Sequence, residues 1–201
     1  MIKIFLESKN SSTPEYVFIS TLLRFMGVDS SIFNLIPVNG KDSLHLSANH
    51  FIQNTLEGGT NLIIFDADSA ENNGGYERRK DELKEVISRL GIEAEIFLFP
   101  DDEHDGDFET MLESVARKDL HEGFFGCFKD YEYCLGDRYI HPNRKGKLYA
   151  YITSMRLSNR QRRSIGSGNW LFENNDFWNL NSPSLEPLKS FLNKNFMQDN
   201  Q

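Results

Sequence analysis

The chain has 201 residues, of which 39% are hydrophobic and 12% aromatic, so it can bury a substantial core and does not have the composition of a disordered chain. Its formal net charge of −8 argues against indiscriminate binding of nucleic acid over the whole surface. No apolar run approaches the roughly 20 residues of a membrane-spanning helix, and the N-terminus lacks a signal-peptide pattern. We therefore expect a cytoplasmic protein with no membrane partner.

The first half of the chain alternates strand and helix patterns. Residues 2–7 predict a strand, and Thr13-Pro14-Glu15 supplies the cap, the first-turn proline and the first-turn acid of a helix. A short apolar strand, an amphipathic segment, a buried strand, a helix and a fourth strand follow at 33–38, 43–56, 61–65, 76–90 and 95–99. Asp107 can cap a further helix. This alternation predicts an α/β fold with a mostly parallel sheet of about four strands, flanked by helices.

The pattern is weaker after residue 120. It predicts two helical segments, a loop rich in Ser, Gly and Asn, a terminal helix and a frayed tail, at 121–135, 146–157, 160–181, 183–196 and 197–201 respectively. We expect residues 1–120 to form the α/β core. Residues 121–201 are then a helical and loop extension, packed on that core as one compact unit.

Acidic residues follow two of the predicted strands. The apolar run 62–65 stops at Asp66 and Asp68, and residues two apart on a strand project from the same face. Right-handed crossovers bring the C-terminal end of every strand to one edge, which also receives Glu7. Ligands of open α/β sheets bind in this crevice, and carboxylate oxygens suit Mg²⁺ or Mn²⁺. The sequence therefore predicts a divalent-metal site formed by Glu7, Asp66 and Asp68.

A basic segment lies later in the chain. From Arg138 to Arg163 there are eight Lys and Arg residues and no acid. One interpretation is a solvated face that balances the acids elsewhere, and the other is a surface that contacts phosphates. On the second interpretation, the candidate nucleic-acid contacts are Arg156, Arg160, Arg162 and Arg163.

These features resemble the TOPRIM (topoisomerase-primase) domain, in which one strand ends in Glu, a later strand ends in Asp-x-Asp, and a helix follows the first acid. The closer resemblance is to TOPRIM-like proteins related to the overcoming-lysogenization-defect (OLD) nucleases, including a bacterial group of about this length. There a proline-ended fourth strand leads into a loop and a Gly-x-x-Glu helix start, which here are Phe99-Pro100 and Gly106 to Glu109. Segments 147–151 and 178–192 also look like that group's ending.

The resemblance implies that Asp66 and Asp68 hold Mg²⁺ or Mn²⁺, while Glu7 completes the metal shell or acts as general acid and base. Asp107 and Glu109 are second-tier candidates, for a second metal. The function implied is a metal-dependent nuclease or phosphotransferase acting on nucleic-acid phosphodiesters of DNA or RNA. The alternative is a catalytically inactive TOPRIM-like module that binds a protein partner or nucleic acid.

Two features of the chain depart from the family pattern. Ser8 stands where the family usually has a glycine after the glutamate, and glycine permits close approach of the backbone to a phosphate. The chain also contains no Gly-x-x-x-x-Gly-Lys-Ser/Thr nucleotide-binding loop, so any ATP dependence requires a separate ATPase partner. Related proteins often carry a helix acid where Glu15 falls, but we interpret Glu15 as a first-turn acid and prefer Glu7 as the site residue.

Overall fold

A computed structural model describes residues 1–72 and 74–198 of the chain. Four strands form one sheet in the order β2-β1-β3-β4, and every neighbouring pair is parallel. The strands are β1 (Ile2–Leu6), β2 (Phe33–Pro37), β3 (Thr60–Asp66) and β4 (Glu95–Phe99). This arrangement confirms the expected α/β fold with a parallel sheet, and it brings the C-terminal ends of all four strands to one edge.

Within the described residues, eight α-helices accompany the sheet. They are α1 (Pro14–Phe25), α2 (Ala48–Leu56), α3 (Tyr76–Leu90), α4 (Phe108–Val115), α5 (Glu122–Leu135), α6 (Arg144–Thr153), α7 (Asn159–Gly166) and α8 (Glu186–Gln198). The helical C-terminal part agrees with the sequence prediction. None of these helices combines the length and the apolar composition that crossing a membrane requires.

Several helix boundaries differ from the predicted ones. Residues Lys41–Ser47 form a 3-10 helix before α2, so the segment 43–56 is not one continuous α-helix. Helix α7 lies in the segment predicted as loop, because a capping box between Ser158 and Gln161 starts a helix there. Helix α8 extends to Gln198, and the rest of the predicted frayed tail, 199–201, lies outside the described residues.

The two faces of the sheet are covered by different helices. On one face, α2 and α3 contribute Phe51 and Leu83 to a cluster that includes Phe65 of β3. On the other face, α1, α4, α6 and α8 surround strand residues such as Ile4 and Ile64. Side chains alternate between the two faces along β1 and β3 and contribute to both clusters, which explains why most residues of these central strands are apolar.

The C-terminal part of the chain packs into the same core as the sheet. Trp178 is fully buried among residues that cover β1 and β3, and its Nε1 donates a hydrogen bond to the carbonyl of Trp170 at 2.8 Å. Its backbone also pairs with Ala116, directly after α4, in an antiparallel bridge. The segment after α7 therefore contributes a large aromatic anchor to the interior.

We expect Trp178→Ala to lower the free energy of unfolding by about 3–5 kcal/mol, because it removes a large buried ring and leaves a cavity. Urea denaturation followed by circular dichroism measures the loss. Tyr133→Ala is the control, since Tyr133 is 87% exposed and its loss should change stability by less than about 0.5 kcal/mol. Equal stabilities for the two variants would show that Trp178 is not part of the cooperative core.

Candidate functional site

A cleft of about 310 Å³ opens at the C-terminal edge of the sheet, where the ends of β1 and β3 meet the first turns of α1 and α4. Both helices direct the N–H groups of their first turns, and hence the positive ends of their dipoles, toward this edge. Four carboxyl groups and two amino groups line the cleft: Glu7, Glu15, Asp66, Glu109, Lys9 and Lys145.

Glu7 follows β1 directly and contacts the end of β3. Its Oε2 accepts a hydrogen bond from the backbone N–H of Asp66 at 3.1 Å. Burial raises the pKa of Glu7, while the Asp66 N–H and the positive charge of Arg79 oppose that rise. The negative charge of Asp68 acts in the same direction as burial. Glu7 therefore faces the crevice, as its position at a strand end predicts.

Asp66 is the last residue of β3, and its carboxylate lies at the start of α4. Its Oδ1 accepts a hydrogen bond from the backbone N–H of Phe108 at 2.8 Å. Burial raises the pKa of Asp66 well above its ordinary range, and the charges of Glu15 and Glu7 raise it further. The Phe108 N–H favours the ionised form but does not compensate for burial.

Glu15 lies in the first turn of α1, after the N-cap Thr13, as the sequence predicts. Its Oε1 is buried and has no hydrogen-bond partner among the described residues. Burial raises the pKa of Glu15 to about 8, and repulsion from Glu7 and Glu109 contributes to the rise. Sequence reasoning explained Glu15 by its helix position and missed its place in the cleft. The available signal was that the helix following β1 begins at the edge where β1 ends.

The two second-tier acids have different surroundings. Glu109 lines the cleft from the first turn of α4, and its Oε1 lies 2.9 Å from Nζ of Lys145. Asp107 instead caps α4, because its Oδ1 accepts the backbone N–H of Thr110 at 2.7 Å. Glu109 is therefore part of the carboxyl cluster, while the carboxylate of Asp107 is used by the helix cap.

Asp68 does not line the cleft with the other acids. Strand β3 ends at Asp66, and Asp68 has a left-handed backbone with φ of 59°, so the two-residue rule for strand faces does not apply to it. Its Oδ2 lies 2.5 Å from Nη2 of Arg79, and its carbonyl accepts the N–H of Gly106 at 2.8 Å. The structure thus brings Glu7 and Asp66 together and places Asp68 in an ion pair.

The carboxyl groups do not form a ready coordination shell in this conformation. In residues 1–72 and 74–198, no three His, Cys, Asp or Glu side chains are grouped as a bound metal ion needs. The cluster is instead a set of half-buried acids that repel one another, with raised pKa values at Glu7, Glu15 and Asp66. Either protons or a cation must neutralise this charge.

The basic segment divides into two parts. Helix α6 uses Arg144 and Lys147 in ion pairs with Glu113 of α4, at 3.0 and 2.9 Å. By contrast, four arginines are exposed and have no acidic partner in the part of the chain that the structure describes: Arg156, Arg160, Arg162 and Arg163. Helix α7, which carries three of them, ends beside the cleft, because Gly168 packs against the backbone of Ser12 in the loop that leads to α1.

Comparisons of the chain with protein-family models, with curated proteins and with solved structures found no match. The TOPRIM-like resemblance therefore rests on the sequence motifs alone. What the cleft can do chemically depends on its own residues, since a fold by itself does not define a function.

We expect Glu15→Gln to flatten the decline in stability between about pH 5 and about pH 8. The pKa of Glu15 is about 8 in the folded protein against an ordinary 4.5, so the folded state binds this proton more tightly than the unfolded state. The resulting stabilisation is complete below the ordinary pKa and is lost as the pH rises to about 8, whereas glutamine has no proton to lose.

The measurement is urea denaturation at about pH 5 and about pH 8 with a chelator present. From about pH 5 to about pH 8, the variant should lose less unfolding free energy than the wild type, by on the order of 2 kcal/mol. Glu77→Gln, at an exposed first-turn acid of α3, is the matched control and should keep the wild-type pH dependence. A Glu15→Gln profile parallel to the wild type would contradict the burial of this carboxyl group.

Proposed function

We propose that the protein is a Mg²⁺- or Mn²⁺-dependent enzyme that cleaves or transfers phosphodiesters of nucleic acid at the acidic cleft. The observation that carries the proposal is the half-buried carboxyl cluster, in which Oε1 of Glu15 has no hydrogen-bond partner among the described residues. A buried carboxylate without a partner is costly, and a bound cation removes that cost. The position of the cleft at the carboxyl end of a parallel sheet also supports a ligand site.

The donor set fits a hard divalent ion. Glu7, Glu15 and Asp66 offer only carboxylate oxygens, which suit Mg²⁺ and Mn²⁺. Binding requires the three side chains to rotate toward a common point and lose their protons, so affinity should rise with pH. The ion, when bound, supplies Lewis-acid stabilisation of the phosphoryl group and a more acidic bound water.

The residues of the cleft also provide for proton transfer and for phosphate binding. A carboxyl group of the cleft outside the ligand set, such as Glu109, would exchange a proton with the attacking or leaving oxygen. Lys9 and Lys145 add positive charge at the same cleft. The exposed arginines Arg156, Arg160, Arg162 and Arg163 are the proposed contacts to the nucleic-acid backbone.

A partner and a compartment belong to the same proposal. Any ATP requirement would be met by a separate ATPase, because the chain has no nucleotide-binding loop of the Walker type. A reducing cytoplasm is the proposed compartment, since Cys127 and Cys134 are exposed free thiols. The TOPRIM-like resemblance supports the same class of chemistry.

Asp66→Asn and Glu7→Gln should each weaken Mn²⁺ binding about tenfold or more and abolish metal-dependent cutting, because each removes one charge from the proposed ligand set. Calorimetric titration measures the binding, and gel assays on supercoiled DNA, linear duplex, single-stranded DNA and RNA measure the cutting. Glu95→Gln is the control: Glu95 begins β4 at the opposite edge of the sheet and should leave both unchanged.

Manganese binding that is indifferent to Asp66→Asn and Glu7→Gln, together with no cutting of any substrate, would overturn the enzyme proposal. The protein would then be the non-cutting module that the sequence leaves open as the alternative.

Replacing Arg160, Arg162 and Arg163 with alanine should weaken nucleic-acid binding and lower the slope of log K against log salt by about 2–3, since each phosphate that an arginine neutralises adds roughly 0.9 to that slope. Fluorescence anisotropy over a range of salt concentrations measures the slope. A charge-matched control replaces three exposed residues of α3, which covers the other face of the sheet: Arg78, Lys84 and Arg89. An unchanged slope for the α7 variant would exclude α7 as the phosphate-contacting surface.

A further inference from the structure

Arg79 is the most buried charged side chain beside the cleft, with only 4% of its surface exposed. Its Nη2 lies 2.5 Å from Asp68 Oδ2, and its Nη1 lies 3.1 Å from Glu82 Oε2. Its Nε is buried without a hydrogen-bond partner among the described residues. Arginine is almost never buried to this extent unless it is paired, so this side chain is held in place by the two carboxylates.

The Arg79 network adjoins Glu7. Glu82 also binds Nζ of Lys41 at 2.7 Å, and the neighbouring Gly40 donates its N–H to the carbonyl of Glu7 at 3.2 Å. The charges of Arg79 and Asp68 both act on the Glu7 carboxyl group, with opposite signs. The ion pair therefore lies on the Glu7 side of the sheet edge, while Glu15 and Glu109 lie in the cleft itself.

We propose that Arg79 takes the place of a second metal ion beside Glu7, so that the cleft binds one divalent cation per chain. The ligands of that ion are Glu7, Glu15 and Asp66, and Asp68 is the anchor of Arg79. This inference rests on the proposed function, because it concerns the metal stoichiometry of the same site.

The reason is that Asp68 is already paired with the guanidinium of Arg79, which stays charged at any ordinary pH. A metal ion that took Asp68 would leave the Arg79 guanidinium buried with Glu82 as its remaining carboxylate partner. The backbone of Asp68 is also fixed, since its carbonyl accepts the N–H of Gly106 and its φ is 59°. Paired metal ions about 3.5–4 Å apart need carboxylates that reach both, and Asp68 points to the guanidinium instead.

The acidic loop after β4 does not provide a replacement ligand set either. Each of four loop acids already has a partner in the fold: Asp101 with His104, Asp102 with Lys80, Asp105 with the N–H of Tyr76, and Asp107 with the N–H of Thr110. An ion recruited there would have to compete with the Lys80 ion pair and with these hydrogen bonds.

The test titrates the full-length protein with Mn²⁺ and measures the free ion by electron paramagnetic resonance. The number of bound ions is the difference between total and free Mn²⁺. Wild type should bind one ion per chain, and Arg78→Met should bind one as well, because Arg78 is the exposed neighbour that pairs with the same Glu82. Arg79→Met should gain a second, weaker ion, since Asp68 loses its counterion. The double variant Arg79→Met with Asp68→Asn should return to one.

A second comparison does not depend on the folding of an Arg79 variant. Asp68→Asn should change the Mn²⁺ dissociation constant less than about threefold, whereas Asp66→Asn should raise it about tenfold or more. Two ions in wild type, or equal effects of the two substitutions, would overturn the inference while leaving the proposed function in place. No ion in wild type would overturn both.

Discussion

Asp66 ends the central strand β3 and is half-buried at the wall of the cleft, and this position is the constraint on which the site depends. The carboxylate of Asp66 accepts a hydrogen bond from the Phe108 N–H at the start of α4. The backbone N–H of Asp66 donates to the carboxylate of Glu7. One residue thus ties the ends of β1 and β3 to the first turn of α4. These bonds fix the backbone around the cleft but leave the charge of Asp66 in conflict with Glu15 and Glu7.

The loop after β3 separates acids that are close in sequence into two electrostatic environments. Asp66 faces carboxyl groups that repel it, whereas Asp68 faces the Arg79 guanidinium. Glu82 and Lys41 extend the Asp68–Arg79 ion pair, so that negative and positive charges alternate from Asp68 to Lys41. Only the cleft side is left with an excess of negative charge, and a cation therefore gains most by binding there.

The sequence predicted the scaffold better than the site because strands and helices follow from local patterns. Strand β4 and helix α3 begin and end where the apolar periodicity and the punctuation of Pro100 and Gly91 place them. The meeting of Glu7 and Asp66 also follows from parallel topology. The burial of Glu15 does not, since it depends on the course of loop 8–13 and on the packing of Gly168 against that loop. The left-handed backbone at Asp68 could not be predicted either, because the two-residue spacing rule assumes that the strand continues to that residue.

The basic segment divides into a paired part and an unpaired part, which its composition could not separate. Residues of α6 neutralise acids of α4 and so help to hold that helix at the cleft, while the exposed arginines of α7 have no acidic partner among the described residues. A nucleic acid attracted by α7 would still meet an excess of carboxylates in the cleft. If the cleft binds a divalent ion and a phosphodiester as proposed, the ion would reduce that repulsion, and the two affinities would be linked, each raising the other by the same factor.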